Sequence, residues 1–235
     1  FRRVLFRSKF NADFEDAKGR NASDDLKAEL LKLKAQKVEG IILDLRNNGG
    51  GSLTEVVDIM GLFMNSGPVV QIKDGNGKVQ VMKNKQNAPI WTGPLVIMQN
   101  ELSASASEIV SGALQDSKRA IIMGTQSFGK GSVQSVAKID DQIGLKLTIA
   151  QYMTPSGRKI QAVGIKPDVY IDEVEAEFVN KNKKESSFIR EKDLKNHLTA
   201  TIETLEEKKI REANELKERI ERTERFKQMR EKKKR

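Results

Sequence analysis

The sequence predicts an α/β domain followed by a charged helical extension. Three observations lead there. Short β-branched or apolar runs alternate with segments whose apolar residues recur at helical spacing, the signature of strands and helices interleaved along one domain. Glycine or serine clusters where those runs end, at 47–52, 103–107 and 124–131. From about residue 173, glycine and proline vanish and charge takes over. The net charge of +9 follows the same division. Residues 180–235 carry 19 Lys and Arg against 12 Asp and Glu, whereas the rest is nearly balanced at 23 against 21. The basicity therefore belongs to a solvated, mixed-charge tail, and nucleic acid is not an expected partner.

Taken in order, Phe1 to Ser8 (FRRVLFRS) lacks the small-residue site of a cleaved signal and reads as an artefact-like junction, set aside from the fold. A core is expected over 9–172 and the tail over 173–235. Asn21 or Ser23 opens a helix whose apolar stripe is Leu26, Leu30, Leu31 and Leu33, closed by Lys37-Val-Glu-Gly40. Ile41 to Leu45 is apolar throughout, which suits a parallel strand covered on both faces. It runs into Asp44-Leu-Arg46-Asn-Asn-Gly49-Gly50-Gly51, and Ser52 opens a helix buried through Val56, Ile59, Met60 and Phe63. Asp44 and Arg46 are read as bracing the strand end. Val69–Ile72 and Val79–Met82 flank Asp74-Gly-Asn-Gly77, a hairpin signal. Leu95–Met98 and Ala120–Met123 are buried strands, with a helix from Glu108 to Leu114 between them. Strands are expected at 132–137, 145–152 and 169–171. In the tail, Leu194, Leu198, Ile202, Leu205, Leu216, Ile220 and Phe226 fall near helical spacing.

Composition removes several chemistries. Without cysteine there is no thiol catalysis, disulfide or zinc-thiolate site. The one histidine, His197, lies in the tail, so no multi-histidine metal site exists and no Ser-His-Asp triad forms unless the tail folds back. No metal or cofactor is expected. No apolar run is long enough to span a bilayer.

Lys130, bracketed by Gly129 and Gly131, admits three readings. Gly124 to Lys130 fits a phosphate-binding loop, except that Gly131 stands where Ser or Thr would hold magnesium and a strand, not a helix, follows. Ser127-Phe-Gly-Lys130 has S-x-x-K spacing, but in poor helix sequence and without its companion motifs. The third reading pairs Lys130 with a serine of Ser103-Ala-Ser105-Ala-Ser107 at a helix start. A lysine acts as a base only when neutral, which apolar burial favours, and Phe128 and Ile121–Met123 are candidate walls. The glycines at 49–51, leading into a helix, are suited to hold an oxyanion.

The segments DLRNNGGG, ELSASASEI, TQSFGKGSVQ and YMTPSGRKIQAVGIKPDV together resemble the C-terminal-processing, or tail-specific, serine protease family over roughly 40–170. The resemblance implies a Clp-protease/crotonase-like core and a serine endopeptidase that cleaves near the C-terminus of extended protein substrates through an acyl-enzyme. By motif position, Ser105 is the implied nucleophile, Lys130 the general base and Gln134 the residue that orients it. Gly51 and Ala106 are the implied oxyanion donors. Ser103, Ser107 and Asp116 are given structural roles. The family usually carries a peptide-binding PDZ domain, which is not read here, so a fragment of a longer protein is implied. A periplasmic or envelope location is implied too. The alternatives are an inactive assembly module, with the tail as a homo-oligomer contact, and a nucleotide-binding loop at 124–131.

Overall fold

Strands in this chain sort into two sheets by the company they keep. In the computed structural model, which describes residues 2–5, 21–138, 144–171 and 189–194, β1 (Arg2–Leu5), β2 (Ile41–Asp44), β5 (Leu95–Gln99), β6 (Ile121–Gly124) and β9 (Val169–Tyr170) form a wholly parallel sheet in the order β1-β2-β5-β6-β9. Parallel neighbours need crossovers, and helices supply two of them. Helix α2 (Leu53–Phe63) leaves β2, and α3 (Ala106–Asp116) joins β5 to β6. Helix α1 (Ala22–Ala35) precedes β2 and packs with α2. The other strands, β3 (Gly67–Asp74), β4 (Val79–Asn84), β7 (Ser132–Lys138) and β8 (Gly144–Met153), form an antiparallel sheet in the order β4-β3-β8-β7. Its β3–β4 hairpin turns where Asp74-Gly-Asn-Gly predicts, with Asp74 accepting from the Asn76 and Lys78 amides.

The core is one apolar cluster. Leu26 and Leu30 of α1, Val56, Ile59, Met60 and Phe63 of α2, and Ile109, Val110, Ala113 and Leu114 of α3 close over Ile41, Leu43, Leu95, Ile97 and Ile122 of the parallel sheet. The expected stripe of α2 is buried as read. That of α1 is narrower, because Leu31 turns to solvent. Alternate residues Ile42, Val96, Met98 and Met123 are only half-buried, and Ile121 is exposed.

Within the segment set aside above, Arg2–Leu5 forms a strand. Arg2–Leu5 pairs in parallel with Ile41–Asp44, because the outer edge of β2 offers backbone groups that need partners. All described residues belong to one unit, Phe1–Ala200. The anticipated helical stripe from Leu198 to Phe226 lies outside the described residues, and Leu194 follows a short 3-10 turn, Glu191–Asp193. No helix among the described residues is long and apolar enough to cross a membrane.

Candidate active site

In a parallel sheet the loops after adjacent strands emerge at one edge, and the crevice there is the usual place for a site. Here β2, β5 and β6 are neighbours, so the three loops that the sequence marked with glycine and serine converge. Each is held by specific hydrogen bonds.

The first loop, after β2, is held by amides. Asp44 is fully buried and receives the Arg46 backbone N–H and guanidinium, at 2.9–3.1 Å, so the pair braces the strand end as expected. Asn47 and Asn100 exchange hydrogen bonds, both 2.9 Å, and Asn48 Oδ1 accepts from the Gly50 N–H. Gly50 has φ +91°, and a Cβ there would sit 2.6 Å from Ala106 N and 2.9 Å from Ser105 Cβ. Only glycine allows this loop to lie against the start of α3.

The second loop carries the serines. Ser103 is fully buried, its hydroxyl given to the Leu45 carbonyl. Ser107 is fully buried and donates to the Asn48 carbonyl. Both have the structural roles expected of them. Ser105 between them is only half-buried and caps α3 with φ 56° and ψ −115°. A non-glycine residue there stores about 1–3 kcal/mol of backbone strain, which persists only where surroundings impose it. The surroundings are visible: Ser105 N–H donates to Glu108 Oε2, and the Ser105 carbonyl accepts from the Glu108 and Ile109 amides.

The third loop carries Lys130, and Glu108 governs it. The carboxylate is fully buried and receives four donors. Oε1 accepts from Ser127 Oγ at 2.6 Å and Gly129 N at 2.7 Å, while Oε2 accepts from Lys130 N at 2.8 Å and Ser105 N at 2.9 Å. The amides of Ser105 and Lys130 therefore meet on a single oxygen, and can be no farther apart than those two bonds laid end to end. Burial pushes the Glu108 carboxyl up to about 7, against the pull of the Ser127, Gly129, Ser105 and Lys130 hydrogen bonds.

These bonds overturn two readings of Lys130. A phosphate loop needs free amides, but Gly129 and Lys130 donate to Glu108 and Gly131 donates to Gln161 Oε1. Strand β7 starts at Ser132, where such a loop would start a helix. The S-x-x-K reading fails because Ser127 is fully buried, donates to Glu108 and accepts from the Ile165 N–H at 2.7 Å. Lys130 itself is half-buried. Gln134 lies beyond a register shift on β7 and is exposed, and among the described residues it makes no hydrogen bond to Lys130. Asp116 pairs with Arg158 and accepts from the Ser156 amide, which holds it low against its burial, a structural role. Among the described residues no three His, Cys, Asp or Glu cluster as a metal site would require.

Glu108 was not singled out from sequence. The signal was present, since Ser105-Ala-Ser-Glu108 has capping-box spacing. Gln161 and Arg190, which also reach the Lys130 loop, had no local signal.

Comparison with known proteins identifies the family and the fold. The profile of peptidase family S41 matches residues 8–171. A carboxy-terminal-processing protease of Bartonella bacilliformis is 44% identical over 144 residues, covering 60% of this chain and 33% of that protein. A tail-specific protease of Haemophilus influenzae is 41% identical over 160 residues, covering 65% and 23%. The chain thus spans about a quarter to a third of the length of these relatives. Among solved structures, the photosystem II D1 C-terminal processing protease superposes with a TM-score of 0.62 at 35% identity, covering 72% of this chain and 41% of that one. The α/β core is therefore of the Clp-protease-like kind. With the profile matched across most of its length and the serine and lysine loops joined at one sheet edge, the chain belongs to peptidase family S41.

Proposed function

We propose that this chain is the core of a serine endopeptidase that cuts near the C-terminus of extended protein substrates with Ser105 as nucleophile and Lys130 as base. The observation that carries the proposal is the shared acceptor: Glu108 Oε2 takes both the Ser105 and the Lys130 amide. Ser103 and Ser107 spend their hydroxyls on backbone carbonyls, which leaves Ser105 for chemistry.

In the proposed cycle the Ser105 hydroxyl attacks the scissile carbonyl carbon and its proton passes to the Lys130 amine, acting as base. The resulting oxyanion is held by the Ala106 and Gly51 amides, at the positive end of α3. Gly50 packed on Ala106 N supports that pairing. Collapse of the intermediate breaks the C–N bond, the leaving amine takes the proton from Lys130, and Ser105 retains the acyl group as an ester. Water, deprotonated by Lys130, then releases the new C-terminal acid. Gln134 is proposed to orient the amine once substrate is bound. The names of the relatives, which print C-terminal or tail-specific processing, support the choice of substrate end. An envelope location, checked by cell fractionation, belongs to the same proposal.

The test is cleavage of an unstructured fluorogenic peptide with a free C-terminus. Ser105→Ala and Lys130→Ala are each expected to lower kcat by about 10³-fold or more with the fold intact. Substantial cleavage by either variant would sink the dyad.

A further inference from the structure

Lys130 is approached from a third side, by a segment far along the chain. Residues 189–194 turn once around the 3-10 helix Glu191–Asp193, whose start is capped by Asp193 accepting from the Arg190 N–H. One Arg190 nitrogen donates to the Ser127 carbonyl at 2.7 Å and to the Val163 carbonyl at 3.0 Å. The Glu191 N–H donates to the Phe128 carbonyl at 3.2 Å. Glu191 Oε1 accepts from Gln161 Nε2, and Gln161 Oε1 in turn accepts the Gly131 amide. The segment therefore grips the backbone before Lys130, at Ser127 and Phe128, and after it, at Gly131 through Gln161.

We propose that Ile189–Leu194 is a strap that positions Lys130, acting through Arg190 and Glu191 on the backbone either side of that lysine. The inference rests on Lys130 being the base. Three features separate a strap from ordinary packing. Its apolar residues are largely exposed, Ile189 at 61% and Leu194 at 42%. Its attachments are polar and, apart from the Arg190 bond to the Val163 carbonyl, fall on the chain around Lys130, directly or through Gln161. Its guanidinium is half-buried, and that burial lowers its pKa against the opposing pull of the Glu108, Asp193 and Glu101 carboxylates. Arg190 and Glu191 are positioning residues; neither is asked to touch substrate.

The test uses the full chain and two readouts. Amide hydrogen exchange is followed at 127–131, with strands 41–44 and 95–99 as references, in wild type, Arg190→Gln and Arg190→Lys. Exchange at 127–131 is expected to quicken about tenfold in Arg190→Gln, with both strands unchanged. On the fluorogenic peptide, kcat is expected to fall about tenfold with KM within about twofold, because a loosened base costs the chemical step rather than binding. Arg190→Lys should recover part of both, since it keeps the charge but not the planar fork. Unchanged exchange at 127–131 overturns the strap. Quicker exchange with unchanged kcat overturns its role on Lys130. A wild type that cleaves nothing but shows the expected exchange pattern defeats the peptidase reading and supports the strap's grip on the loop. Should Arg190→Gln quicken the reference strands as well, Glu191→Ala decides: local quickening at 129–131 supports the strap, and none overturns it.

Discussion

The loop after β2 and the loop after β6 flank the same serine and are built from different materials. Beyond the Asp44–Arg46 ion pair at the strand end, the first, Asn47 to Ser52, is held on Ser105 by neutral groups: Asn47 and Asn100 bond each other, Asn48 holds Gly50, and the Asn48 carbonyl receives the Ala104 amide and the Ser107 hydroxyl. The second, Thr125 to Gly131, is held by ions: Glu108 from inside and Arg190 from outside. Neutral hydrogen bonds of this kind each contribute about 1 kcal/mol and ignore pH, whereas bonds to a charged group contribute about twice that and fail when the charge does. The loop proposed to stabilise the oxyanion is therefore fixed over a wide pH range. The loop that carries Lys130 is titratable.

The sharpest way to break this comparison is Glu108→Gln. An amide nitrogen would face two N–H donors on one side of the site, so kcat is expected to fall about 10²-fold while the chain still unfolds cooperatively. The pH dependence of the wild type sharpens the same point. Burial raises the Glu108 carboxyl from 4.5 to about 7, so the native state binds this proton more tightly than the unfolded chain. Its contribution to stability is full below pH 4.5 and is lost as pH rises through 7, a fall of about 3 kcal/mol in unfolding free energy. Cleavage should run the other way, rising through pH 7 as the ionised clamp forms. Opposite slopes by calorimetry and by peptide turnover are the expected outcome, and both should flatten in Glu108→Gln. Parallel slopes would mean that the clamp is not what holds Lys130.

Breaking the neutral loop should look different. Gly50→Ala places a methyl group in the backbone of Ala104 and Ala106 at a positive φ. It is expected to destabilise by about 2–4 kcal/mol in denaturant titration. What activity remains should keep the wild-type pH profile, because no ionisable group was touched. The smallest effect is expected from Ser107→Ala. It removes one buried hydroxyl, and the Asn48 carbonyl keeps its bond from the Ala104 amide. About 1 kcal/mol of stability should go, with kcat nearly unchanged. A collapse of kcat in Ser107→Ala would move the nucleophile from Ser105.

Strand and helix positions were largely legible before the structure, because periodicity and turn chemistry act over a few residues. The hairpin at Asp74–Gly77, the buried stripe of α2 and the strands ending at 44, 99 and 124 follow from such local patterns. Legibility failed where partners lie far apart in sequence. The strand Arg2–Leu5 looks like nothing until β2 offers it an edge. Leu31 belongs to the apolar spacing of α1, yet only the position of α2 decides which side of that helix is inside.

The site divides the same way. The sequence by itself determined the inventory: no cysteine, a single histidine at 197, a serine run at a helix start, and a lysine between two glycines. Those residue types exclude thiol, zinc-thiolate and multi-histidine metal chemistry, and Ser and Lys are the pair proposed here to react. What only the tertiary structure decided is which serine is spare and what brings the lysine to it. Ser103 and Ser107 are spent on carbonyls 58 and 59 residues away, and Lys130 is tied to Ser105 through a carboxylate 22 residues before it. The physical reason is that a hydroxyl's role is set by its partner. At these separations, the partner is chosen by the order of strands in the sheet, which no local pattern encodes.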